Sequence, residues 1–217
     1  TGTLSLGYIG LAETLVLLNG KHHGESEESQ KLGVEIVKFI REEMDKKTEE
    51  HKLNFSVIAT PAEGYAGKSV RKFKQKYGVI ERVSDQDFFT NSAHIPVYHD
   101  ISIKDKIRLE APYHELSNAG HILYVEVDGE AGRNIEALDD VVQEMMRNNV
   151  GYGSINHPVD RCPKCEYNSV IEDTCPKCGS DDIVRIRRIT GYLVGDTAKW
   201  NTGKASEEKM RVKHGKK

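Results

Sequence analysis

Residues 54–78, NFSVIATPAEGYAGKSVRKFKQKYG, contain the pattern that decides the fold class. Residues 53–59 alternate in polarity and are rich in β-branched side chains, which predicts a strand. The loop TPAEG follows, and residues 69–77 have the composition of a helix that ends at Gly78. Strand, loop and helix in this order are typical of α/β folds, where ligands bind beyond the carboxyl ends of strands. TPAEG is therefore a candidate binding segment.

The flanking segments continue this alternation. Residues 7–20 predict a buried helix that ends at Gly20, and residues 26–51 predict a long amphipathic helix. Residues 121–129 predict a strand after an irregular polar loop. Asn134 is placed to cap a helix that extends to about residue 149. The apolar residues expected on the buried side of that helix are Ile135, Leu138, Val141, Val142, Met145 and Met146.

The composition limits the class of protein. The chain has 217 residues, of which 37% are hydrophobic, and a net charge of -3, which fits one large domain with or without an appendage. The near balance of charge does not indicate a nucleic-acid coat protein, and the longest apolar run is too short to span a bilayer. Because the chain opens TGTLSLGYIG, without a methionine or a basic leader, we expect a fragment of a longer protein.

All four cysteines lie in residues 162–179, CPKCEYNSVIEDTCPKCG. Two C-x-x-C pairs separated by nine residues predict a tetrahedral site for structural zinc, formed by Cys162, Cys165, Cys175 and Cys178. A rubredoxin-type iron site, or free or disulfide-bonded cysteines, are the alternatives. A cysteine cluster in a chain otherwise free of cysteine favours a reducing compartment, and we expect a cytoplasmic protein.

The segment after the cysteines is basic. From residue 184 to the last residue there are ten Lys or Arg and three Asp or Glu, a local balance of +7. This pattern keeps open the alternative of a zinc-ribbon module that binds nucleic acid. Tyr192 and Trp200 are the only aromatic residues there, a small surface for stacking bases, and a solvated basic tail explains the charge equally well.

Gly191 lies thirteen residues after the last cysteine, in the motif R-x-x-G-Y-L. Together with the paired C-x-x-C knuckles, this motif resembles the C-terminus of the anaerobic (class III) ribonucleoside-triphosphate reductases, which are glycyl radical enzymes. Further stretches resemble the same family in the same order: TLSLGYIGLAE, KHHGE, NFSVIATPAEG, FFTNSAHIPV and INHPVDRCPKC. The resemblance covers essentially the whole chain and corresponds to the C-terminal third of such a reductase.

The resemblance implies an α/β fold that is part of a ten-stranded glycyl-radical-enzyme barrel, with a C-terminal zinc ribbon and radical loop. It implies that Gly191 carries the radical, because an α-carbon radical stays planar and accessible only without a side chain. A separate activase with S-adenosylmethionine and an iron–sulfur cluster would install it. The radical passes to a cysteine that attacks the 3′-hydrogen of a ribonucleotide. Since the four cysteines here are assigned to metal, that cysteine lies outside this chain, and we expect the chain alone to be inactive.

The resemblance also implies roles for residues near the predicted strand ends. Glu63 is expected to accept the proton of the 3′-hydroxyl, although a loop glutamate can also be a solvated or capping residue. Thr60, Asn91 and Ser92 are expected to bind substrate, although short polar residues also cap turns. Many relatives have cysteine where this chain has Thr190, so no thiol can act at that position.

The predicted organisation has three parts: residues 1–158 as barrel, residues 159–187 as zinc ribbon, and residues 188–217 as radical loop and basic tail. The partners implied by the resemblance are a ribonucleoside triphosphate substrate, dNTP and ATP effectors bound mostly upstream of this chain, the activase, and a second subunit in a homodimer. No membrane or nucleic-acid partner is expected. The histidine pairs 22/23 and 94/99 lack the spacing of helical metal ligands, which argues against a second metal.

Overall fold

The computed structural model describes residues 2–127, 134–157, 159–189, 192–194 and 200–213. The first half of the chain contains β1 (Thr3–Tyr8), α1 (Leu11–Asn19), α2 (Glu27–His51), β2 (Asn54–Ala59), α3 (Glu63–Tyr77), α4 (Ile103–Glu110) and α5 (Pro112–Leu116). The second half contains β3 (Leu123–Glu126), α6 (Ile135–Arg147), β4 (Gly153–Asn156), β5 (Val159–Arg161), β6 (Asn168–Ser169), β7 (Val184–Ile189), β8 (Tyr192–Val194) and α7 (Thr202–Met210). The fold is mixed α/β.

Strands β1 and β2 form a parallel pair connected by α1 and α2. The N-terminal prediction was wrong in part, because Gly7 and Tyr8 were expected to be helical but are the last two residues of β1, and α1 begins only at Leu11. Gly10 has a φ of 75°, a left-handed conformation that separates the strand from the helix. The predicted helix end at Gly20 is confirmed, as is the amphipathic α2, which Ser26 caps by accepting from the Ser29 N–H.

Helix α3 follows β2 after only three residues. It begins at Glu63, so the prediction of a helix that starts at residue 69 was six residues late. Sequence alone indicated a loop there because of Gly64 and Gly67. The early turns of α3 are nevertheless held by burial, since Ala66 and Val70 are 1% and 0% exposed.

Strands β3 and β4 form a second parallel pair, with α6 as the crossover. Asn134 caps α6 as predicted, by accepting from the Ala137 N–H. Val141 and Met145 pack with the buried side chains Ile107, Leu123 and Val125. The predicted burial of three other α6 residues was wrong, because the helix contacts its neighbours along a narrow stripe and leaves exposed Ile135, Val142 and Met146.

The C-terminal part forms a four-stranded antiparallel sheet in the order β6-β5-β7-β8. After it, α7 returns to the first half of the chain and packs on α3. A Cβ atom built on Gly203 would lie 3.0 Å from the Cα of Gly67, so the two helices approach closely only because both residues are glycine. This contact brings the C-terminal helix beside the loop that follows α3.

Candidate active site and metal centre

A cavity of about 500 Å³ lies beyond the carboxyl end of β2. Its wall includes Thr60, Asn91 and Ser92, the three residues for which the family resemblance implies substrate binding. The other walls come from the segments between α5 and β3 and between α6 and β4. The structure therefore brings two separate predicted segments to one cavity, at the strand end where α/β folds bind ligands.

A side chain of α1, Glu13, anchors the loop that carries Asn91 and Ser92. Buried Glu13 accepts hydrogen bonds from the backbone N–H of Thr90 at 2.8 Å and from its hydroxyl at 2.7 Å. Burial raises the pKa of Glu13, although the hydrogen bonds from Thr90 oppose the shift. Ser92 has a φ of 43°, a left-handed conformation that costs a non-glycine residue energy and persists only where the surroundings hold it.

Two predicted residues are not tested by this geometry. Glu63 is the first residue of α3, but its side chain is outside the described part of the structure. Gly191 lies outside the described residues together with Thr190, between the end of β7 at Ile189 and the start of β8 at Tyr192.

The same cavity has three histidines on its wall that the sequence did not point to as site residues: His94, His114 and His121. The ring of His121 stacks on that of His114, with centroids 4.3 Å apart, and meets that of His94 edge-on at 5.2 Å. Because the three come from separate segments, spacing along the chain could not reveal this cluster. Burial lowers the pKa of His114 to about 4 and places that of His121 well below its ordinary value, with the neighbouring histidines adding to the shift.

The fully buried side chain of Glu110 fixes the orientation of the His94 ring. Its carboxylate accepts from the Nδ1 of His94 at 3.0 Å, from the backbone N–H of Ile95 at 2.8 Å, and from the ammonium group of Lys106. Burial alone would raise the pKa of Glu110, but the charges of Lys106 and His94 outweigh it and hold this pKa far below its usual range.

The four cysteines form a second candidate site. The Sγ atoms of Cys162 and Cys178 are 3.5 Å apart, as are those of Cys165 and Cys175, and all four lie within 4.8 Å of one another. Tetrahedral zinc with Zn–S bonds of about 2.3 Å requires sulfur atoms about 3.8 Å apart, so the cluster fits this ion.

The two cysteine knuckles repeat one backbone geometry. Glu166 and Gly179 each follow the second cysteine of a pair, with φ values of 58° and 72°, and each donates its N–H to the carbonyl of the first cysteine. The two C-x-x-C pairs are therefore equivalent in structure as well as in sequence. Ile171, 2% exposed, packs between Cys162 and Cys175 as the main apolar residue of this cluster.

The basic segment makes internal ion pairs. Arg187 contacts the buried carboxylate of Asp160 at 2.6 Å, and Arg185 contacts it at 3.7 Å. In α7 and just beyond it, Lys204 and Arg211 both contact Glu207. These cations are engaged within the chain, which weakens the case for a nucleic-acid surface.

A family model for anaerobic ribonucleoside-triphosphate reductase matches residues 1–214. The chain belongs to this family. The anaerobic ribonucleoside-triphosphate reductase of Salmonella typhimurium is 37% identical over 98% of the chain, and that of Enterobacteria phage T4 is 33% identical over 98%. The chain spans only 31% and 34% of the length of these two reductases.

Solved anaerobic ribonucleotide reductases have the same fold. One is similar with a TM-score of 0.82 at 21% identity, over 97% of this chain and 34% of that protein. The Thermotoga maritima enzyme in complex with dATP and CTP is similar with a TM-score of 0.70 at 19% identity, over 95% of this chain and 33% of that protein. The same enzyme with glycerol in the active site is similar over 88% of this chain and 30% of that protein, with a TM-score of 0.72 at 21% identity.

Within the described part of this reductase-family chain, no helix is both long enough and apolar enough to cross a membrane.

Proposed function

We propose that this chain forms the C-terminal part of an enzyme that reduces ribonucleoside triphosphates to 2′-deoxyribonucleoside triphosphates by a glycyl and thiyl radical mechanism. The observation that carries this proposal is the family match over residues 1–214, a range that includes Gly191. The thiyl cysteine must come from elsewhere in the protein, because all four cysteines of this chain belong to the cluster. The chain by itself is therefore inactive.

Gly191 is the proposed radical residue. When formed, the radical stores an unpaired electron on an α-carbon, stabilised by donation from the amide nitrogen and withdrawal by the carbonyl group. A side chain at this position would twist the peptide unit from planarity and shield the hydrogen. An activase that uses S-adenosylmethionine and an iron–sulfur cluster removes that hydrogen.

The cavity is the proposed substrate site. Thr60, Asn91 and Ser92 share its wall, and we assign them to substrate binding. We assign Glu63 as the base that takes the proton of the 3′-hydroxyl after the 3′-hydrogen has been removed, as the 2′-hydroxyl leaves as water. The 2′-hydroxyl takes up a proton as it leaves, which balances the proton lost from the 3′-hydroxyl. An external reductant, formate or a thiol system, then supplies the two electrons that reduce the resulting keto-sugar radical.

The cysteine cluster is the proposed structural zinc site. Four thiolate ligands leave no open position, so the ion would hold the two knuckles together and supply no catalytic water. The fitting sulfur distances support zinc, and Ile171 supplies little apolar core to replace it. The cluster would anchor β7, the strand that directly precedes Gly191 in the chain.

We propose that the two parallel strand pairs, β1–β2 and β3–β4, are part of a ten-stranded barrel that the rest of the protein completes. Parallel sheets are normally covered on both faces, yet Leu4 and Leu6 of β1 are 51% and 38% exposed. Strands from the rest of the protein would cover them. The division into barrel, zinc ribbon and radical loop at residues 158 and 187 stays a prediction.

The proposed partners follow from the family. They are a ribonucleoside triphosphate, nucleotide effectors, the activase and a second subunit of a homodimer. The Thermotoga maritima enzyme is described in complex with dATP and CTP, which supports nucleotide binding in the protein that contains this chain.

Electron paramagnetic resonance tests the radical assignment. The intact protein, activated anaerobically with its activase, S-adenosylmethionine and a reductant, should give a doublet near the free-electron g value. Gly191→Ala should abolish both the doublet and nucleotide reduction. Gly2→Ala is the control, because a Cβ there meets nothing within 4 Å and the residue lies outside the segments assigned to the site. A doublet that survives in Gly191→Ala, or no doublet from metal-replete protein with a demonstrably competent activase, contradicts the proposal.

A further inference from the structure

Charged side chains rather than large apolar ones hold α7 in place. The buried residues of this helix are Gly203, Lys204 and Glu207. Lys204 is 1% exposed and Glu207 is 5% exposed, and their side chains form an ion pair. A buried ion pair contributes little net stability compared with apolar packing, but its hydrogen bonds are directional. The pattern therefore indicates a helix whose charges fix a defined arrangement.

The segment 87–97, which carries two residues of the proposed substrate site, contacts α7 near both of its ends. A Cβ atom built on Gly203, in the first turn of α7, would lie 3.1 Å from the carbonyl oxygen of Asp87. Just beyond the helix, the N–H of Val212 donates to the carbonyl oxygen of Val97 at 2.8 Å. These contacts lie on either side of the substrate residues, so the position of α7 determines where the segment lies.

Glu207 contacts the middle of this segment. Its Oε2 atom accepts a buried hydrogen bond from Nδ2 of Asn91 at 3.5 Å. Because a carboxylate only accepts hydrogen bonds, this contact selects the orientation of the Asn91 amide in which the NH₂ group is directed toward α7. Glu207 is itself fixed, since Oε2 also accepts from Lys204 and Oε1 accepts from Arg211 at 3.2 Å. Burial by itself would raise the pKa of Glu207, but the charges of Lys204 and Arg211 outweigh it and lower this pKa.

Arg211, directly after α7, connects this contact with β7. One guanidinium nitrogen donates to the carbonyl oxygen of Arg188 at 3.1 Å and lies 3.7 Å from the carboxylate of Glu126. The other nitrogen donates to Glu207. Arg188 precedes Gly191, the proposed radical residue, by three positions in the chain. One planar group with donors in a fixed arrangement therefore sets the spacing between β7 and the carboxylate that contacts the substrate segment.

We propose that Glu207 is a positioning residue of the substrate site, which orients the amide of Asn91 for a ribonucleotide while Arg211 holds Glu207 in register with β7. The inference rests on the proposed function, which assigns Asn91 to substrate binding. None of the described residues on the cavity wall belongs to α7, so Glu207 acts through Asn91 and not on the substrate itself. An amide that is already oriented loses less conformational freedom when a ligand binds, which strengthens binding.

Calorimetric titration of the intact, radical-free protein with CTP tests this role through a double-mutant cycle. Asn91→Ala should weaken binding of CTP by about tenfold, as should Glu207→Gln, in which Lys204 and Asn91 compete for one acceptor oxygen. The double variant should bind no more weakly than Asn91→Ala alone, because the effect of Glu207 passes through the Asn91 amide. A merely structural Glu207 would give additive losses of about a hundredfold. Lys209→Gln, at an exposed position of α7, is the control and should bind CTP as the unmodified protein does.

A second variant keeps the test decisive where Glu207→Gln fails to fold. Arg211→Lys retains the positive charge but cannot donate to both Glu207 and the Arg188 carbonyl group. It should weaken CTP binding to a smaller extent, and it should have no effect when Asn91 is already alanine.

Four outcomes decide between this inference and the proposed function. Additive losses, or a Glu207→Gln protein that binds CTP as Lys209→Gln does, overturn the positioning role and leave the proposed function intact. An unmodified protein that binds no CTP overturns both. The expected cycle together with absent nucleotide reduction by the activated protein supports the positioning role and contradicts the proposed radical chemistry alone.

Discussion

In the α/β body, which comprises residues 2–127 and 134–157, burial of large aliphatic side chains forms the core: Leu15 and Val37 are both fully buried. In the cysteine module, residues 159–189, the buried cluster consists of Cys162, Cys175 and Ile171, with half-buried residues around it. The two regions therefore differ in what holds them together. The body excludes apolar surface from water, whereas the module buries little apolar surface, and the proposed zinc at its four cysteines would supply the missing stability.

The largest expected effect is unfolding of the cysteine module when its metal is removed. Cys175→Ser, or treatment with a strong chelator, should let the amides of β5 and β7 exchange as in an unfolded chain while those of α1 and α2 stay protected. Structural zinc contributes on the order of 10 kcal/mol to small domains, far more than Ile171 can supply. Hydrogen exchange read by mass spectrometry measures this.

Lys177→Gln is the matched control, an exposed position inside the same knuckle that should retain its metal and its protection. Equal loss of protection in body and module would show that the two regions do not differ in this way.

A cavity in the body should destabilise it without affecting the metal. Leu15→Ala removes a fully buried side chain from the α1–α2 core and should lower the free energy of unfolding by about 2–5 kcal/mol. Leu18→Ala, on the same helix but 62% exposed, should change it by less than about 0.5 kcal/mol. Urea unfolding followed by circular dichroism, with the zinc content measured in parallel, checks both. Similar losses in the two variants would contradict the assigned core.

Disrupting the contact between α3 and α7 should lower the free energy of unfolding by less than the cavity at Leu15 does. Gly203→Ala places a Cβ 3.0 Å from the Cα of Gly67 and 3.1 Å from the Asp87 carbonyl oxygen, backbone atoms that cannot move aside. We expect a loss of about 1–3 kcal/mol. Gly64→Ala, in open space on α3, should instead stabilise the protein by about 0.5 kcal/mol or more. Thermal unfolding of both variants measures the difference, and a neutral Gly203→Ala would mean that α7 is displaced in solution.

Acidic pH should lower the free energy of unfolding of the α/β body, because the body contains the buried side chain of His23. Burial lowers the pKa of His23 to about 4, so below pH 6.5 the unfolded chain binds a proton that the folded chain does not. The free energy of unfolding then falls as the pH drops from 6.5 toward 4, by about 1 kcal/mol for this residue at pH 5.5. His23→Gln should flatten the decline relative to His51→Gln. Parallel pH profiles for the two variants would exclude His23 as a source.

Much of the local structure was predictable from the sequence. Alternation predicted β2, the 3.6-residue period predicted α2, and the cap at Asn134 marked the start of α6, because these signals depend on neighbouring residues alone. The failures have a common cause. The N-terminal strand β1 and the early start of α3 depend on packing against distant segments, which outweighs local propensity.

The sequence by itself predicted the cysteine cluster, since C-x-x-C spacing brings two sulfur atoms together within one turn and two such pairs match the ligand set of a tetrahedral metal site. Only the tertiary structure decided the cavity. Thr60 and Ser92 meet there because β2 and a distant loop end at the same point, and His94, His114 and His121 converge from three separate segments. Such convergence depends on how strands and helices pack across long separations in the chain, and no pattern of neighbouring residues encodes it.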